Sequence, residues 1–298
     1  MNLFSITRPA RLRMIIVMAV LALAAVATGI SLQATAAQAS PARAASITKV
    51  ASAGGAKPVI VLVHGAWADA SSWEGVISYL TRAGFTVYAP PDPLRGLSSD
   101  AAYLRDFLTE NPALAGKPVV LVGHSYGGAV ITNAAVGDPE VKALVYVDAF
   151  IPAQGQTVEG LLAAVPGSCI GGNPATTFDP VPYPGAPSGS VDLYLQPGEF
   201  PGCFASGLPA WEAAELAATQ RPLASAAVAE PSGPPAWATI PSWAVIGTGD
   251  KVIPPAEQLA MAERAGARVT EINGGHLALI SDPSAVAAVI MRAAAAVG

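Results

Sequence analysis

From residue 57 onward the chain alternates short, unbroken apolar runs with segments whose apolar residues recur at helical spacing. Pro58–Val63, Phe85–Ala89, Lys117–Val122, Val141–Val147, Ile240–Gly247 and Arg268–Ile272 are too short for helices and rich in β-branched residues, so they are read as strands. Trp73–Ala83 predicts a helix, with Val76, Ile77 and Leu80 on one side and Gly84 as its stop. Ser98–Glu110 predicts another, capped by Ser98 or Ser99, with Tyr103, Leu104, Phe107 and Leu108 on one face. Further helices are expected from about Gly128 to Val136 and over Pro283–Ala295. Apolar strands alternating with amphipathic helices imply an α/β fold: a mostly parallel sheet of about six strands with helices on both faces.

Two stretches break the rhythm. Residues 151–235 hold 14 Pro and 11 Gly, with seven acidic residues against one Arg, and show one helical pattern, near Leu208–Ala218. A structureless loop of that length is uncommon inside a compact domain, so the segment is read as a lid over the active-site end of the sheet. The core would then be residues 57–150 and 236–298. At the other break, Arg8, Arg11 and Arg13 precede the apolar run Met14–Ala27, and small-residue exits such as Ala37-Gln38-Ala39 follow. That order reads as a secretory signal over residues 1–39, with 40–56 as a flexible Ala/Ser/Gly-rich leader. The alternative, an uncleaved membrane anchor, would need about 20 apolar residues, and Thr28, Gly29 and Ser31 interrupt the run too early.

This division changes how composition is read. The 298 residues are 52% apolar and 12% charged, with a formal charge of -5. Residues 1–39 carry three Arg and no acid, so their removal leaves −8. An acidic chain without a basic cluster is a poor partner for nucleic acid or an anionic membrane, and no stable membrane association is expected after signal cleavage. Cys169 and Cys203 are the only cysteines. In a secreted protein such a pair is read as a disulfide, worth about 3–4 kcal/mol for a loop of this length, with two buried thiols as the alternative. Neither cysteine has a neighbouring His, and three histidines in all leave little for a metal site.

The chemistry concentrates at Gly123-His124-Ser125-Tyr126-Gly127, a G-x-S-x-G between a strand and a helix. A nucleophilic serine there needs its Oγ exposed on a sharp turn, and the crowding at that turn asks for glycine on either side. Serine also needs a base. His124 adjoins Ser125 but points elsewhere on the turn, and His64 suits a shape-setting place before Gly65. His276, in the glycine-rich loop after the last strand, is therefore the expected base. Asp250, at the carboxyl end of the preceding strand, is the expected orienting acid, with Asp148 as its rival and Asp92 a weaker one. Asp148 would then orient the start of the lid. The oxyanion donors are expected to be the N–H groups of Tyr126 and Ala66, with Trp67 second to Ala66.

At these residues the chain resembles the α/β-hydrolase superfamily over about residues 57–298. The loop Val63-His64-Gly65-Ala66-Trp67, Ser72-Trp73, the elbow just described and Val147-Asp148-Ala149-Phe150-Ile151-Pro152 are similar to the group of plant hydroxynitrile lyases, methylesterases and bacterial esterases. Ala218–Pro222, Ala236-Trp237 and Ile240–Trp243 resemble bacterial hydrolases of that group. The resemblance implies a lidded sheet, a Ser125–His276–Asp250 triad and no cofactor. Relatives that are haloalkane dehalogenases or epoxide hydrolases carry Asp at the elbow, where this chain has Ser125. The hydroxynitrile lyases carry Thr at the place of Gly65 and Lys after the catalytic His, where this chain has Leu277. The expectation is a secreted hydrolase of carboxylic esters or lactones. Two alternatives stand beside it: a cofactor-free perhydrolase or haloperoxidase activity, and a non-catalytic ligand-binding protein on the same fold.

Overall fold

The computed structural model describes residues 57–187 and 189–298; the expected signal and leader lie outside the described residues. The chain begins with β1 (Val59–Val63), a 3-10 turn (Ala70–Trp73), α1 (Glu74–Arg82), β2 (Val87–Tyr88) and α2 (Leu97–Glu110). It continues through β3 (Val119–His124), α3 (Tyr126–Ala134) and β4 (Val141–Val147). The segment expected to be irregular then supplies α4 (Val158–Ala164), α5 (Pro174–Thr177), β5 (Phe178–Val181), β6 (Asp192–Leu195), α6 (Ala210–Thr219), β7 (Leu223–Ala224) and α7 (Ser225–Ala229). The rest is β8 (Ser242–Gly247), α8 (Pro255–Arg264), β9 (Arg268–Ile272), α9 (Ala278–Ser281) and α10 (Pro283–Val297).

Six parallel strands form one sheet in the order β2-β1-β3-β4-β8-β9. Every residue of β1, β3 and β8 is buried, and only Lys142 of β4 is exposed. Strands that carry Val, Ile and Leu on both faces can be satisfied only between two layers of helices. Each such side chain contributes roughly 1.5–3 kcal/mol when fully removed from water. The register aligns Val63 with Gly123, His124 with Val147, Val147 with Val245, and Gly247 with Ile272. The carboxyl ends of β1, β3, β4, β8 and β9 therefore open side by side, and the loops leaving them converge.

Several expectations change in detail. Helix α2 starts at Leu97 with Gly96 at its N-cap and no side-chain cap, instead of Ser98 or Ser99. The Asp100 carboxylate takes over by accepting the N–H groups of Arg95 and Gly96 at 3.0–3.2 Å. On that helix Leu104 and Leu108 are buried, whereas Tyr103 is exposed. Helix α8, unmarked by the apolar pattern, fills the crossover between β8 and β9. The insertion between β4 and β8 is ordered around a second, antiparallel sheet, β5-β6-β7. A disulfide joins Cys169 to Cys203 across it, with the two Cα atoms 5.8 Å apart.

Candidate active site

Ser125 sits between β3 and α3 with φ 54° and ψ -123°, a backbone that a non-glycine residue adopts only under constraint. The flanking glycines are required by close approach. A Cβ on Gly123 would stand 2.5 Å from the Gly127 carbonyl oxygen, and one on Gly127 2.7 Å from that of His64. The Ser125 hydroxyl donates to His276 Nε2 at 2.9 Å, and His276 Nδ1 donates to Asp250 Oδ2 at 2.8 Å. Asp250 is held in turn. Its Oδ1 accepts from Val252 and Ile253 N–H at 2.8 and 3.0 Å, and Gln258 Nε2 donates to its Oδ2 at 2.7 Å. These contacts fill the lone pairs of a buried carboxylate and fix the face it turns to the imidazole.

The other histidines hold backbone. His64 Nδ1 donates to the Gly65 carbonyl at 2.9 Å, and its Nε2 accepts the Asp92 N–H at 2.9 Å. Burial lowers its pKa from 6.5 to about 4, so the ring is neutral in this role. His124 Nε2 donates to the His276 carbonyl at 2.9 Å, and burial pushes its pKa well down as well. The two residues thus brace the loops on either side of Ser125, as their positions in the sequence suggest.

Asp148 is brought into the cluster but not against His276, and its place differs from the one expected for it. Its carboxylate does not orient the insertion. Oδ1 accepts from Gly247 N–H at 2.6 Å and Oδ2 from Ala278 N–H at 3.3 Å. It ties the end of β8, three residues before Asp250, to the first turn of α9, two residues after His276. Full burial, and then the nearby Asp250 charge, raise its pKa well above the ordinary carboxylate range. Asp92 lies on the far side, with its N–H on His64 and one carboxylate oxygen unpartnered among the described residues.

Tyr126 opens α3, so its N–H has no partner inside the helix and lies at the positive end of the helix dipole. Its hydroxyl donates to Asp100 Oδ2 at 2.9 Å, which locks the ring away from the nucleophile. Of the two candidates in the β1 loop, Trp67 is already committed, because its N–H donates to the Arg221 carbonyl at 2.8 Å. Ala66 is left as the loop's candidate donor. Sequence reasoning missed Gln258, and it left Phe204 only as one of the insertion's aromatic residues, without a place against His276. Phe204 follows Cys203 and packs its ring 5.2 Å from that of His276. Nothing in the apolar pattern marks either residue. Among the described residues no group of three or more His, Cys, Asp or Glu side chains is placed to hold a metal ion.

The catalytic candidates are buried. Ser125 is 2% exposed and His276 is 0% exposed. A cavity of about 380 Å³ lies between the insertion and Trp67 of the β1 loop, lined also by Leu162, Ile170, Phe178, Leu193 and Val228, among others; none of Ser125, His276 and Asp250 lines it. Of the insertion's aromatic residues, Phe178 lines this cavity, Phe200 and Phe204 are buried, the latter against Trp67 and His276, and Trp211 is exposed.

A model of the alpha/beta hydrolase family matches residues 60–289. The chain is 37% identical over 133 residues to a carbendazim hydrolyzing esterase from Nocardioides sp. (strain SG-4G). That match covers 40% of this chain and 55% of the relative, so the chain spans about half of that protein's length. Among solved structures, a pyrethroid hydrolase from Sphingobium faniae JZ-2 superposes with a TM-score of 0.61 at 24% identity, over 80% of this chain and 98% of that one. A methylesterase from Arabidopsis does so with a TM-score of 0.64 at 19% identity, over 80% and 99%. At these identities the two structures speak for the fold.

Proposed function

The chain belongs to the alpha/beta hydrolase family, and from that premise we propose that it is a secreted serine hydrolase cleaving carboxylic esters of small molecules. The observation that carries this reading is the continuous Ser125–His276–Asp250 relay, with hydrogen bonds of 2.9 and 2.8 Å. Ser125 Oγ attacks the ester carbonyl while His276 Nε2 takes its proton, and Asp250 stabilises the imidazolium. The N–H groups of Ala66 and Tyr126 receive the negative charge that develops on the carbonyl oxygen. His276 returns the proton to the departing alcohol, and a water molecule, activated by the same ring, releases the acid from Ser125. No metal or cofactor takes part.

Residues 151–235 act as the lid of this enzyme, and residues 57–150 and 236–298 as its catalytic core. The burial of Ser125 beneath the insertion supports that division. The relatives' ester chemistry supports small-molecule esters or lactones as the substrate class. Export is supported by the order of charge, apolar run and small residues over 1–39 and by the disulfide, a bond of oxidising compartments. Among the described residues no helix is long and apolar enough to cross a membrane.

The test is turnover of p-nitrophenyl acetate and butyrate by the wild type and by Ser125→Ala. The variant is expected to lose kcat by about 10⁴-fold or more, and to escape labelling by a fluorophosphonate that marks the wild type. Undiminished turnover by the variant would remove Ser125 from the mechanism.

A further inference from the structure

We propose that Trp67 is a positioning residue that couples the lid to the oxyanion loop, so that the Ala66 N–H is held in its donating place only while the lid is docked. This rests on the serine hydrolase reading above. Trp67 has a φ of 55°, which is an outlier for a bulky side chain. Such a backbone is strained and persists only where the surroundings over-determine it.

The contacts that impose it come from the lid. The Trp67 N–H donates to the Arg221 carbonyl at 2.8 Å, and the indole Nε1–H donates to the Leu193 carbonyl of β6, also at 2.8 Å. The ring stacks on Phe178 at 5.7 Å and meets the edge of Phe204 at 5.6 Å. All four partners lie within residues 151–235. The preceding half of the loop is held by the core instead. The His64 ring grips the Gly65 carbonyl, and a Cβ on Gly65 would stand 2.7 Å from Ser125 Cβ and 3.1 Å from Tyr126 N.

Ala66 is therefore the joint between a half fixed by the core and a half fixed by the lid. With the lid displaced, neither Trp67 N–H keeps its acceptor and nothing pays for the positive φ. The backbone on the carboxyl side of Ala66 then relaxes, and its N–H loses its aim at the oxyanion. Phe204 touches both Trp67 and His276, so the same displacement loosens the roof over the base. Lid closure thus completes the site that it covers.

Trp67→Phe tests the coupling, because it keeps an aromatic ring for Phe178 and Phe204 but removes the indole donor to Leu193. For p-nitrophenyl butyrate, kcat is expected to fall roughly 10- to 100-fold, as for a partly misplaced oxyanion donor, with KM within about threefold. Affinity for an aryl trifluoromethyl ketone, which forms an oxyanion on Ser125, should fall by the same factor as kcat/KM. Phe178→Ala, altered on the lid side alone, should shift kcat in the same direction, and it serves if Trp67→Phe does not fold. A loss confined to KM, or a kcat within twofold of wild type in the folded variants, would overturn the coupling. A wild-type protein that neither turns over esters nor takes up a fluorophosphonate would instead overturn the serine hydrolase reading, and the coupling with it.

Discussion

His64 forms none of the bonds of the proposed chemistry, yet its protonation state bears on stability. The folded ring accepts the Asp92 N–H at Nε2 and is buried, and its pKa falls to about 4. An unfolded histidine titrates near 6.5, so between pH 6.5 and about 4 the unfolded chain takes up a proton that the folded ring refuses. The ring's share of stability is full above pH 6.5 and is lost as pH falls toward 4, about 3 kcal/mol in all. Asp92, Asp100 and Asp148 have raised pKa values and act with the opposite sign, so the comparison must be differential. Between pH 7 and 4.5 the wild type should lose roughly 2–3 kcal/mol more unfolding free energy than His64→Gln, measured by urea titration. Equal losses would mean that the ring titrates normally. At this scale much of the site is legible in the sequence. Ser125, His276 and Asp250 are identifiable because a nucleophile elbow and two glycine-rich strand ends are local patterns. The tie from Asp148 to Gly247 and Ala278 is not, because it depends on where three strands end relative to one another.

Among elements, legibility follows length and periodicity. Strands β1, β3, β4 and β8 are unbroken apolar runs, and the structure has each of them within two residues of its expected bounds. The insertion's strands have four, four and two residues, and β5 carries Pro180, so no alternation had room to show. Helix α8 escaped for another reason: Glu257 and Gln258 share its buried side with Met261 and Ala262. Gln258 spends its burial on Asp250, so a polar residue sits where the pattern asks for an apolar one. The disulfide belongs to this scale as well. Around it, Cys169 N–H donates to the Lys251 carbonyl at 2.8 Å, Lys251 Nζ to the Gly202 carbonyl at 3.1 Å and Ser168 Oγ to the Val252 carbonyl at 2.7 Å. The bridge therefore ties the insertion to itself beside the loop that carries Asp250. Replacing both cysteines by serine should lower the unfolding free energy by about 3 kcal/mol in denaturant titration. No change would mean that the surrounding contacts alone confine the 34-residue loop.

The whole molecule joins a parallel sheet, whose strands and layers the apolar pattern implies, to an insertion that the pattern leaves nearly blank. The difference is physical. A doubly covered sheet writes its burial into nearly every residue of its central strands, whereas an insertion built from short pieces, 14 prolines and 11 glycines relies on contacts between distant segments. Arg95 shows the cost of reading a sequence locally: it lies on the exposed loop before α2, pairs with Asp192 of β6 and places its guanidinium over Tyr183. Nothing near Arg95 in the chain announces either partner. The sealing of the site has a kinetic consequence. With Ser125 2% exposed, the lid proposed above would admit a reagent to the nucleophile only in those molecules where it has parted. Stopped-flow labelling with a fluorophosphonate should speed up with reagent concentration and then level off, and a bulkier and a slimmer phosphonate should share one ceiling. A rate that stays proportional to concentration would mean an open path. If the ceiling exists, it is the opening frequency of the roof, and Ser125 becomes a clock that reads it.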